Sequence, residues 1–95
     1  MSKSTTELKG IDSEHFWYGD VMIDLPAIKY EANSLESGAT GATIHGLRTV
    51  TSMLDHYARN LAGTLSYKPL PATPEKVEKY LRMANELGLH TGLTF

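Results

Sequence analysis

The chain of 95 residues contains no cysteine, which excludes a disulfide framework, thiolate metal sites and a cysteine nucleophile. Long apolar runs are missing as well: no window approaches the roughly 18 to 20 apolar residues that a bilayer span needs. Residues 1–12 are polar where a signal peptide would be apolar. These absences predict a cytoplasmic protein without a membrane partner, which must derive its stability from packing.

The chain also lacks an excess of basic residues. Its formal net charge is -2, whereas a nucleic-acid binder normally carries a clear positive excess, so we expect no nucleic-acid partner. The charge is unevenly distributed: residues 1–47 hold three lysines and seven acids, and residues 48–95 hold six bases and four acids. Such asymmetry can guide the docking of one surface on another.

The apolar pattern predicts a mainly α fold, a small three-helix domain with a short extended N-terminal segment. The hydrophobic content of 41% suffices for one core. Capping residues followed by proline, at Asp24 and Thr73, and apolar residues at helical spacing predict helices at 25–36, 43–62 and 74–87.

The N-terminal part is predicted in two pieces. Residues 1–12 are expected to be a flexible tail, and residues 13–95 a single helical domain. Alternating apolar residues over 15–23 favour a strand, with a short helix as the alternative. If 15–23 pairs with 64–68, the fold becomes α+β.

The central helix has an apolar arc that approaches half of its circumference, more than one neighbouring helix would cover. This breadth predicts a homo-oligomer, with a second copy contacting the arc. The residues predicted for self-association are Gly46, Val50, Met53 and Tyr57.

A glycine-rich turn leads into the central helix, and backbone N–H groups at a helix start can hold a phosphate. The residues predicted for such a ligand are Gly38, Thr40, Gly41, Thr43 and Arg48. The same residues also suit an ordinary helix-capping turn, because the run lacks the lysine and hydroxyl ending of a nucleotide-binding loop.

The densest aromatic cluster is formed by Phe16, Trp17 and Tyr18. Aromatic residues serve as core anchors, as the centre of an interface, or as a surface on which a nucleobase stacks. Since three consecutive residues cannot all face inward on one element, we expect at least one ring to be available to a partner.

Catalytic chemistry has little support in the sequence. His45 and His56 share a helix face but lie about 16 Å apart along it, too far to bind one ion, so no metal and no cofactor are expected. We therefore predict a small non-enzymatic interaction protein, of inhibitor or adaptor type, that acts as a homo-oligomer and binds a protein partner. The alternative is a binding protein for a phosphorylated or nucleotide-like small molecule at the glycine-rich turn.

Overall fold

The structure, a computed structural model, describes residues 6–65 and 70–95. Strands β1 (Leu8–Asp12), β2 (His15–Tyr18) and β3 (Val21–Asp24) form an antiparallel sheet in the order β1-β2-β3. Helices α1 (Leu25–Glu36), α2 (Gly41–Ala62) and α3 (Pro74–Glu86) follow. The described part of the chain thus has the three predicted helices, but the sheet makes it an α+β domain.

The helix boundaries lie close to the predicted ones because the capping residues act as expected. Asp24 accepts a hydrogen bond from the Ala27 N–H at 3.2 Å, and Thr73 accepts one from the Lys76 N–H at 3.3 Å. Helix α2 begins two residues earlier than predicted, and α3 ends one residue earlier. Among the described residues no helix has the length and apolar character that crossing a bilayer would require.

The prediction of a flexible tail over residues 1–12 is wrong for residues 8–12, which form β1. This strand pairs with β2 and packs against α2. Gly10 allows the contact, because a Cβ there would stand 2.4 Å from the Leu61 carbonyl oxygen. The polar composition concealed this close backbone approach, which only glycine permits. Residues 1–5 lie outside the described residues.

Residues 15–23 form a hairpin instead of one strand. The chain reverses at Gly19-Asp20, with Gly19 at φ 63°, and glycine followed by aspartate is a known signal for such a two-residue turn. Strand β2 therefore pairs with β1 and β3. Of the alternative pairing segment 64–68, residues 64 and 65 are not in a strand, and 66–68 lie outside the described residues.

The core lies between the inner face of the sheet and the three helices. Helix α2 is central, because α1, α3 and β1 all pack against it. Every helix and strand except β1 contributes to the largest fully buried side chains, which are Phe16, Ile23, Leu25, Ile28, Leu47, Val50, Leu54, Val77 and Leu81.

The C-terminal residues close one end of this core. Leu89 and Thr91 are buried. The Thr91 hydroxyl donates to the Asn85 side-chain oxygen at 2.7 Å, and the Asn85 amide donates to the Leu93 carbonyl at 3.0 Å. Phe95 places its ring against the Arg82 guanidinium, 4.4 Å from the ring centroid. The end of the chain thus packs on α3.

Candidate functional site: the outer face of the sheet

The hairpin register separates the aromatic cluster onto two faces of the sheet. Phe16 and Tyr18 face the core, and the Tyr18 hydroxyl donates to Glu78 at 2.8 Å. Trp17 points the other way and is 38% exposed. The expectation that one of the three rings remains accessible is met by Trp17 alone, because alternate residues of a strand face opposite sides.

A row of exposed side chains crosses the three strands at Trp17. Met22 is its direct partner on β3, and Lys9 is its direct partner on β1. Met22 is 43% exposed, and Lys9 is exposed. We call the surface formed by Lys9, Trp17 and Met22 the outer face. Helix α2 packs against the sheet from the opposite side, the side of Gly10 and Phe16.

Carboxylates lie at both ends of the outer face. At the β2–β3 turn, the Gly19 N–H donates to the Glu7 carbonyl at 2.7 Å, which brings Glu7 close to Asp20. Glu7, Lys9, Trp17, Gly19 and Asp20 line a surface depression there. The other three acids of residues 6–24 lie at the opposite end of the sheet, and they are Asp12, Glu14 and Asp24.

His15 lies between two of these acids. Its Nδ1 is 2.9 Å from Asp12, and its Nε2 is 3.6 Å from Asp24. The hydrogen bond to Asp12 raises the pKa of His15 above its usual value. The pKa of Asp12 is lowered, first by the backbone N–H of Glu14 and then by His15. The cluster links the β1–β2 turn to Asp24, the N-cap of α1.

This arrangement predicts a pH-dependent stability. A group whose pKa is raised on folding stabilises the fold fully below its unfolded value, here 6.5, and loses that contribution as the pH rises through the folded pKa. We expect His15→Gln to remove this decline in the free energy of unfolding. His45→Gln, which changes an exposed histidine of α2, is the matched control. An NMR titration midpoint for His15 at or below 6.5 would contradict the interpretation.

The structure brings the residues of the predicted phosphate site at the glycine-rich turn together only in part. Thr40 is the N-cap of α2, but its side chain makes no capping hydrogen bond. A Cβ on Gly38 or Gly41 would meet nothing within 4 Å, so neither glycine is needed for space. Arg48, which was predicted to bind the phosphate, pairs with Glu36 at 3.2 Å. A carboxylate therefore lies beside the predicted phosphate site.

The arc predicted for self-association is largely covered within one chain. Val50 is fully buried and Tyr57 is 2% exposed. A Cβ on Gly46 would stand 3.5 Å from Leu87, and Met53 packs against the core cluster. The sheet and the flanking helices cover the part of the arc that the predicted neighbours alone would not have buried. Val50 and Tyr57 are therefore not accessible to a second copy in this fold, whereas Gly46 and Met53 remain partly exposed.

The sequence interpretation missed Met22 because a single strand over 15–23 gives the wrong register after residue 18, and it missed Lys9 because residues 1–12 were predicted to be a tail. The Gly19-Asp20 turn was the signal that could have placed Met22. No group of three or more histidines and acids within residues 6–65 and 70–95 is placed to hold a metal ion.

No family model matches the chain, and no curated protein or solved structure matches it.

Proposed function

We propose that this protein is a non-enzymatic interaction protein, of adaptor or inhibitor type, that binds a protein partner through the outer face. The observation that supports this proposal is the exposed pair of Trp17 and Met22 on a sheet whose other side forms the core. Tryptophan and methionine are enriched at protein interfaces, and tryptophan is prominent among the residues that carry binding energy.

The outer face suits binding because its side chains are not needed for the core. The core aromatics come from the opposite face of the hairpin, where Phe16 is fully buried opposite Ile23. A partner that covers Trp17 removes the rest of a large, rigid aromatic surface from water at little entropic cost. Trp17 is therefore the central anchor of the proposed interface.

The other hypotheses rank below this one. A homo-oligomer loses two of the four residues predicted for it, since Val50 and Tyr57 are already covered by their own chain. For a phosphorylated ligand, the backbone N–H groups at the start of α2 still provide hydrogen-bond donors. It would have to compete with Glu36 for Arg48.

The proposal predicts that Trp17→Ala with Met22→Ala abolishes partner capture while the fold remains. Loss of a central aromatic anchor typically weakens binding by about 30-fold or more. The measurement is a quantitative pull-down from cells that produce the protein, with circular dichroism to establish folding. Tyr30→Ala is the matched control, because this ring is 79% exposed on α1. Undiminished capture by the folded double variant, or equal loss in the control, would contradict the proposal.

A further inference from the structure

Resting on the proposed function, we infer that the partner presents a basic amphipathic helix to the outer face. Its apolar side chains would cover Trp17 and Met22, and lysines or arginines at its two ends would meet the carboxylates at the two ends of the sheet. This inference specifies the chemistry of the partner, whereas the proposed function specifies only the surface.

The charge of the sheet favours a basic partner. Residues 6–24 contain one lysine and five acids, Glu7, Asp12, Glu14, Asp20 and Asp24, for a formal charge of -4 with histidine neutral. All five carboxylates lie around the sheet, and four of these residues are exposed. Complementary charge at the rim of an apolar contact speeds association and excludes partners of like sign.

The size of the outer face favours one helix over a globular surface. Three strands of four to five residues cover about 200 Å², from a rise of about 3.3 Å per residue and a strand spacing of about 4.8 Å. One helix, about 10 Å across, is wide enough to cover an area of this size. A second copy docked face to face would bring two negatively charged sheets together, so the second copy fits poorly.

The positions of the acids define the spacing within the partner. Glu7 and Asp20 lie at one end of the four-residue strand β2, and Glu14 lies at the other. The strand spans about 13 Å, which corresponds to about nine residues of helix. Basic residues two to three helical turns apart would therefore reach both ends. Lys9, beside Trp17, opposes a basic partner on the outer face, and His15, when protonated, offsets part of the charge of Asp12 and Asp24.

The test uses two synthetic peptides of about 14 residues with leucines along one helical face. One carries lysines at both ends, and the other carries glutamates at the same positions. Trp17 is the only tryptophan of the chain, so its fluorescence reports directly on the outer face. We expect the lysine peptide to shift the emission to the blue, with affinity falling about tenfold or more between 50 mM and 500 mM salt. We expect no shift with the glutamate peptide.

Matched charge variants locate the effect. Glu14→Gln with Asp20→Asn neutralises one acid at each end of the sheet and should weaken the lysine peptide about threefold to tenfold. Glu75→Gln with Glu86→Gln changes the net charge equally at exposed positions of α3 and should leave the affinity unchanged. Lys9→Gln should increase the affinity, because it removes the opposing charge.

The outcomes separate this inference from the proposed function. Equal binding of both peptides, or equal effects of the two double neutralisations, would overturn the basic partner while the outer face stays the docking surface. If Trp17→Ala binds a labelled lysine peptide as tightly as the unchanged protein, measured by anisotropy, both proposals fail at this surface. A doubled mass by light scattering without peptide would instead favour the second copy and overturn the inference.

Discussion

Phe16→Ala is expected to lower the free energy of unfolding by about 3 to 5 kcal/mol, whereas Trp17→Ala should lower it by about 1 to 2 kcal/mol. The two aromatic residues are neighbours in β2, but Phe16 is fully buried and Trp17 is 38% exposed. Removing Phe16 leaves a cavity between the sheet and the helices. Removing Trp17 deletes its cross-strand pairs with Met22 and Lys9.

Urea unfolding followed by circular dichroism measures both values, since this signal does not depend on Trp17. The unchanged protein and Tyr30→Ala serve as references, and we expect the latter within about 0.5 kcal/mol of the unchanged protein. Equal large losses for Phe16→Ala and Trp17→Ala would mean that both rings contribute to folding. The outer face would then be part of a core, and the proposed binding surface would be lost.

Gly10→Ala is expected to destabilise the fold by about 3 kcal/mol, at the upper end of the range for overpacking. Its Cβ would lie 2.4 Å from the Leu61 carbonyl oxygen and 2.6 Å from the carbonyl carbon. These are backbone atoms of α2, so the clash cannot be relieved by a side-chain rotation. The strand β1 would have to move away from the helix.

Gly41→Ala is the matched control for this change. An added Cβ at Gly41 meets nothing within 4 Å, and the residue opens helix α2. Replacing glycine by alanine in a compatible helical conformation should stabilise by up to about 1 kcal/mol. Thermal unfolding of both variants tests the pair. A neutral effect of Gly10→Ala would show that β1 does not pack on α2.

The helices could be predicted from sequence because their signals are local. Asp24 and Thr73 cap α1 and α3, and proline follows each cap by one or two residues. Gly63 ends α2 with φ 74°, the left-handed conformation typical of a C-cap. Such rules act within one turn of helix, so neither the sheet nor a partner is needed to apply them.

The sheet was harder to predict because strand pairing depends on contacts between distant residues. Residues 8–12 have a polar composition, and what fixes them is the approach of Gly10 to Leu61, about fifty positions later. A shift of one residue in register moves every side chain to the opposite face. Treating 15–23 as one strand therefore placed Met22 wrongly, although Trp17 was found.

The burial of two residues predicted for self-association, Val50 and Tyr57, could not be predicted for the same reason. The apolar arc of α2 is wide, as the pattern indicated, but β1 and α3 cover it together with α1. Because the sequence did not reveal that β1 packs against α2, the arc had more area than its predicted neighbours could bury. Val50 and Tyr57 are thus core residues.

Acrylamide quenching of the fluorescence of Trp17 measures whether the outer face is open to solvent and to a partner, because this is the only tryptophan of the chain. Because Trp17 lies on the outer face, we expect acrylamide to quench its emission efficiently in the free protein. We expect this quenching to weaken once the lysine peptide is bound. The Tyr30→Ala variant should behave identically. A blue-shifted emission that acrylamide barely quenches in the free protein would place Trp17 inside the fold and contradict the account.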